Sequence, residues 1–225
     1  MSEPASIREH LIRVRERISR AAESGGRSSS DITLVAVSKT VEVAQIEEAM
    51  AAGITDFGEN YLQEARPKVA KLPDLRWHFI GHLQKNKAGE VGRAFHLIQS
   101  VDSVEIARAL GKRAEPGMPT KILLEVKIDP AATKFGIEPE RCMDVAAECR
   151  EMGGVSLYGL MGMAPVVERP EEAKPYFRRL YELFQKLPTE NRLILSMGMT
   201  ADFEAAIQEG ATMVRIGTAI FGPRT

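Results

Sequence analysis

The 225-residue chain is poor in cysteine, tryptophan and net charge, and it contains no long apolar run. Its two cysteines, Cys142 and Cys149, lie seven positions apart in a helix-like stretch. That spacing puts both on one helical face but about 10 Å apart along the axis, too far to bridge. They read as buried, inert thiols of a reducing compartment. With 30 Lys and Arg against 31 Asp and Glu, the formal net charge is −1. Without a long basic run, this argues against nucleic acid as the main partner. The short "KNK" at 85–87 reads as a solvated helix start. No segment approaches the roughly 20 apolar residues of a membrane helix. The opening "MSEPASIREHLIRVRERISRAAES" lacks a signal-peptide core, so a cytoplasmic setting is expected. A G-x-S-x-G elbow and a phosphate-binding G-x-x-x-x-G-K-[ST] loop are also missing. His78 and His82 lack a clustered carboxylate or cysteine, and histidines four apart on a strand do not converge, so no metal is expected.

What is present is enough apolar residue, 44% of the chain, for one large core, and one domain over residues 1–225 is expected. An amphipathic helix at about 5–24 carries Ile7, Leu11, Val14 and Ile18 on one face and precedes the first strand. Strands are predicted near 32–38, 54–58, 76–81, 96–100, 121–127, 155–161, 192–196 and 212–216, with helices between them. Eight such alternations without a long linker fit an α/β fold of the closed (β/α)8 TIM-barrel kind better than an open doubly wound sheet. Only "GTAIFGPRT" follows the last strand, so the N-terminal helix is expected to cover the seam between first and last strands.

Barrel active sites gather where the strands end. "DITLVAVSKT" sets an apolar run against Lys39 at the end of strand one, and "DFGEN" ends strand two with Glu59 and Asn60. In strand three, period two puts His78, Ile80 and His82 on one side. "LSMGMT" and "RIGT" close strands seven and eight, each with a hydroxyl and a glycine where a helix or turn begins. Such backbone N–H groups are free to meet an anion, and these two loops are the recurrent phosphate site of the fold. Arg215 alternates with Val214 and Ile216; if those face the helices, its guanidinium points into the barrel mouth and needs an acceptor. A rim pairing with Glu59 is the plain alternative. A lysine, an inward arginine and a phosphate cradle at one mouth match pyridoxal 5'-phosphate, which takes an amine for its aldehyde, a partner for its ring nitrogen and donors for its phosphate.

The motifs "VAVSKT", "FGENYLQEA", "WHFIGHLQKNK", "SVDS", "KFGI", "GLMGM" and "SMGMTADFEAAIQEGATMVRIGTAIFG" occur in that order. By them, nearly the whole chain resembles the pyridoxal phosphate homeostasis proteins (the YggS or PROSC family). The resemblance implies a barrel like the N-terminal domain of alanine racemase, with Lys39 carrying the cofactor as a Schiff base. It implies that Ser196, Gly198, Met199, Gly217 and Thr218 surround the phosphate, that Arg215 faces the pyridine nitrogen, and that Asn60 lines the pocket. Thr200 stands where serine is commoner, and "GLMGM" where "GLMTI" is more usual. The resemblance further implies cofactor binding and vitamin B6 homeostasis without established catalytic turnover. Apoenzymes receiving the cofactor are the expected partners, and the protein is expected to be a monomer or weak homodimer.

Racemase chemistry needs a second acid/base on the opposite face of the substrate α-carbon, supplied in alanine racemase by a tyrosine of a separate domain. The chain ends soon after its eighth strand, and Tyr158, Tyr176 and Tyr181 read as packing positions, with Tyr61 after a strand end. Two other functions stay open: a racemase-like enzyme, and a lysine Schiff-base aldolase for sugar phosphates. Lys134, in "ATKFGI", is the competing lysine and is expected to assist transfer or to bind the cofactor transiently.

Overall fold

The computed structural model describes residues 6–130 and 135–223. It opens with α1 (Ile7–Ser24), where Ser6 and Glu9 form a capping box. The serine oxygen accepts the Glu9 amide in the first turn and the Glu9 carboxylate accepts the Ser6 amide, so two otherwise orphaned donors are satisfied. Eight strand and helix pairs follow: β1 (Thr33–Val37), α2 (Val43–Ala51), β2 (Asp56–Glu59), α3 (Leu62–Lys71), β3 (Arg76–Phe79), α4 (Ala88–Ala94), β4 (Leu97–Val101), α5 (Val104–Gly111), β5 (Thr120–Val126), α6 (Cys142–Arg150), β6 (Val155–Gly162), α7 (Lys174–Lys186), β7 (Ile194–Ser196), α8 (Phe203–Gln208), β8 (Met213–Ile216) and α9 (Thr218–Phe221). The strands close in sequence order into one parallel barrel. Closure is by β1 on β8, with Val35 opposite Arg215.

Period-two alternation splits each strand between two environments. One face packs on the helices in a large apolar layer that includes Phe57, Trp77, Ile98, Leu124 and Phe177. The other fills the barrel, where Val35, Leu97, Leu123, Met161 and Met213 make a small separate core. Polar residues share that interior: Asp56, His78, Gln99, Ser196 and Arg215 are all buried. Such groups are tolerated in a dry interior only when they bond one another, and they do.

Predicted and observed strands agree to within one or two residues, with two shifts. Ile54 is buried but belongs to the turn set by Gly53, whose φ is +86°, so β2 starts at Asp56. Arg192 and Leu193 continue from a short 3₁₀ turn at Thr189–Asn191, which delays β7. The seam is covered as expected. On α8, Arg17 of α1 makes a bidentate pair with Glu204 at 3.0 and 2.8 Å, its guanidinium 4.5 Å above the Phe203 ring. His10 Nδ1 lies 2.9 Å from the Ile220 carbonyl of α9. Residues 85–87 form the 3₁₀ turn leading into α4. Cys142 and Cys149 are buried on one face of α6, and burial pushes their thiols up to about 12 and about 11. Among the described residues no helix is long and apolar enough to cross a membrane.

Candidate functional site

β1 ends at Val37, and the next residues turn sharply over the barrel rim. Ser38 is fully buried; its hydroxyl donates to Glu59 Oε1 at 2.7 Å and its amide to the Gly58 carbonyl at 3.0 Å. Lys39 thereby reaches a cavity of about 280 Å³ at the C-terminal mouth. Of the eight expected site residues, the cavity wall brings six together: Lys39, Asn60, Met199, Arg215, Gly217 and Thr218. Ile80, Met161 and Met163 supply its apolar surface. An apolar recess with a few converging polar groups is the usual form of a cofactor site. Asn60 Oδ1 is buried without a partner among the described residues, an acceptor left for a bound donor or water.

Gly198 stands behind this wall. Its φ is +91°, and a Cβ there would lie 2.6 Å from Ala206 Cβ and 2.9 Å from Phe203 Cα. Only glycine lets the loop turn onto α8 so closely. Asp202 then holds the loop, its Oδ1 accepting the Met199 amide at 2.6 Å. Burial raises the Asp202 carboxyl, partly offset by that amide and by Arg215. Gly217 leads into α9, whose first residue, Thr218, lines the cavity. The Ile220 and Phe221 amides donate to the Gly217 carbonyl at 2.9 and 3.0 Å, which leaves the Thr218 and Ala219 amides as the backbone donors at the β8 end.

Arg215 is inward, as alternation predicts, and only 4% exposed. Its acceptors are the Ser196 hydroxyl at 2.6 Å and the Gly162 carbonyl at 3.1 Å, not Glu59. Burial lowers the guanidinium to about 10, against the attraction of Glu125 and Asp202, and it stays charged at neutral pH. Ser196 does not line the cavity. It is fully buried and donates its hydroxyl proton to Gln99 Oε1 at 2.7 Å. With its carbonyl so used, Gln99 turns Nε2 toward His78 Nδ1 at 3.0 Å, which leaves the His78 proton on Nε2, 3.0 Å from Asp56 Oδ1. Arg76 closes the chain on Asp56 at 2.9 and 2.6 Å. A polar thread thus runs through the barrel from its floor to the guanidinium at its mouth.

His82 departs from the expected alternation. β3 ends at Phe79, and His82 lies in the following loop, 3.4 Å from Asp102 and stacked on Phe135 at 3.8 Å. No group of three metal-ligating side chains occurs among the described residues. Among the described residues no tyrosine lines the Lys39 cavity; Tyr61 opens on a neighbouring recess of about 420 Å³. Lys134 lies outside the described residues. Three features escaped sequence reasoning. Lys68 was announced only by its place with Leu62 and Ala65 on the buried face of α3, and Asp202 by its position just before an apolar helix. Gln99 carried no signal, since its partners come from three other strands.

The family model for the N-terminal domain of alanine racemase matches residues 10–225. A pyridoxal phosphate homeostasis protein of Pseudomonas aeruginosa is 43% identical over 98% of this chain and 96% of its own length. The Escherichia coli K12 protein of the same name is 40% identical over 97% of each. The chain belongs to the pyridoxal phosphate homeostasis protein family. Among solved structures, PipY of Synechococcus elongatus with PLP bound is similar at a TM-score of 0.81 and 37% identity, covering 96% of this chain and 100% of PipY. Alanine racemase of Bacillus anthracis shares the fold at a TM-score of 0.64 and 17% identity, and this chain spans 56% of it.

Proposed function

We propose that the chain is a single barrel domain that binds pyridoxal 5'-phosphate at the Lys39 cavity and takes part in intracellular vitamin B6 homeostasis. The observation that carries this is the convergence of Lys39, Arg215, Gly217 and Thr218 on one cavity, in a chain whose relatives bear the homeostasis name. The residues fit the group. Lys39 offers an amine for its aldehyde, the Thr218 side chain and the Thr218 and Ala219 amides offer donors for its phosphate, and Arg215 offers a cation beside its ring. When bound, the cofactor supplies an electron sink for carbanions. Gly198, Met199 and Asp202 shape the phosphate side, and Ser196 serves the ring side by holding Arg215. A permanently charged guanidinium opposes protonation of a neighbouring ring nitrogen, which weakens the sink and suits a carrier rather than a catalyst. No enzymatic turnover is therefore proposed. Recipient apoenzymes, a monomer or weak homodimer, and a cytoplasmic setting complete the reading.

Borohydride reduction of the cofactor-loaded protein tests it. The label is expected on Lys39, and Lys39→Ala is expected to lose both label and yellow absorption while keeping its far-ultraviolet dichroism. Label retained by Lys39→Ala overturns the assignment. Steady conversion of an L- to a D-amino acid by the purified protein supports the racemase reading instead.

A further inference from the structure

The turn that carries Lys39 is held from below by a buried ion pair. Lys68 Nζ, on α3, is 2.9 Å from Glu59 Oε1, and the two side chains are 9% and 0% exposed. Both grip Ser38: Lys68 donates to its carbonyl at 2.7 Å and Glu59 accepts its hydroxyl at 2.7 Å. The same carbonyl accepts the Val41 amide at 3.0 Å, closing a four-residue turn with Lys39 and Thr40 at its centre. Thr40 has a φ of +61°, the one non-glycine residue among those described with a positive φ. The third position of such a turn calls for glycine or asparagine. A β-branched residue there is strained, and the surroundings must enforce it. Glu64 adds to the enforcement by accepting the Thr40 amide at 3.2 Å.

This arrangement is poorly explained as a source of stability. Burying two charges costs nearly what their attraction returns, Glu59 Oε2 has no partner among the described residues, and the turn is strained. We propose that Glu59, Lys68 and Thr40 are positioning residues that fix the direction in which the Lys39 amine enters the cavity. The ion pair fixes the backbone before Lys39, and the left-handed threonine fixes the backbone after it. A rigid amine needs no reorganisation to meet an aldehyde held by the cradle. The inference rests on Lys39 being the lysine that holds the cofactor.

Two ligands separate amine position from cradle integrity: pyridoxal 5'-phosphate, and pyridoxine 5'-phosphate, which has the same ring and phosphate but no aldehyde. Thr40→Gly removes the strain and frees the turn. It is expected to fold as well as the parent, to bind pyridoxal 5'-phosphate about ten- to a hundredfold more weakly, and to bind pyridoxine 5'-phosphate within about twofold of the parent. Thr40→Asn, which tolerates the left-handed region, is expected to restore tight binding. The paired Glu59→Gln/Lys68→Met substitution avoids an uncompensated charge and is expected to shift the two affinities as Thr40→Gly does. Should the pair variant not fold, Thr40→Gly and Thr40→Asn decide alone. If folded Thr40→Gly binds each ligand as tightly as the parent does, or loses both to the same degree, the positioning role is overturned. If borohydride labels a lysine other than Lys39 in the parent, the reading beneath it fails instead.

Discussion

Single residues in the two closing loops have separable jobs. Gly198 is required by the backbone: it combines a φ of +91° with a would-be Cβ 2.6 Å from Ala206. Gly198→Ala should lower unfolding stability by about 1–3 kcal/mol in urea titrations, through strain and crowding together. Gly217 differs, since its φ is not positive and its Cβ would meet nothing nearer than the Val37 carbonyl at 3.4 Å. Gly217→Ala should leave the melting curve nearly unchanged. The bulkier Gly217→Val should weaken pyridoxal 5'-phosphate much more than unphosphorylated pyridoxal in equilibrium titrations, because only the phosphorylated ligand needs the donors at that bend. Equal weakening of both ligands removes the phosphate from this end of the cavity. The two glycines look alike in the sequence, and only the backbone around them tells a structural need from a ligand need.

At the scale of elements, the eight strands and the covering role of α1 were legible because burial on both faces leaves unbroken apolar runs in strands, and burial on one leaves a 3.6-residue stripe in helices. Leu11 is on that stripe and 1% exposed. Leu11→Ala should cost about 2–5 kcal/mol in urea unfolding, a large part of the stability of a domain this size. A loss below about 0.5 kcal/mol, the usual range for surface changes, would mean that α1 does not close the barrel seam. Lys39, Arg215 and the two glycine bends were legible because strand ends define the site in a barrel. The links between elements were not. Ser196 reads as a ligand-facing hydroxyl beside "MGMT", yet its side chain serves Gln99 and Arg215. Glu59 reads as a rim partner for Arg215, while in the structure it is held by Lys68 and Ser38 in the layer behind the strands. Alternation tells which face of a strand a residue takes, but not its height or its neighbour across the barrel. Partner choice inside the barrel is therefore decided by closure and register, which local pattern does not encode.

Taken as a whole, the molecule holds buried carboxylates of opposite character at its two ends. Asp56 begins β2 at the barrel floor and is 6% exposed. Burial alone would raise its carboxyl, but hydrogen bonds from His78 and Arg76 reverse this and hold it well below the usual carboxylate range. Asp202, also 6% exposed, stands at the mouth. The Met199 amide, its own amide and the more distant Arg215 are together too little to offset burial, so its carboxyl is raised. The signs of their pH dependence must therefore oppose each other. The unfolded chain binds a proton at Asp56 more readily than the folded one, so the stability from Asp56 is complete above its unfolded value of 3.8 and fades as pH falls toward the lower folded value. For Asp202 the folded state binds the proton more readily, so its ionisation costs stability as pH rises from 3.8 through the higher folded value. Asp56→Asn should thus be most destabilising near neutral pH and approach the parent as acid is added. Asp202→Asn should compare best with the parent near neutral pH and worst in acid. Urea unfolding of the three proteins at steps from about pH 7 to about pH 3 gives both differences directly. Parallel differences of one sign for both variants would mean that the donors around Asp56 do not outweigh its burial, and the polar thread from floor to mouth would lose its anchoring charge.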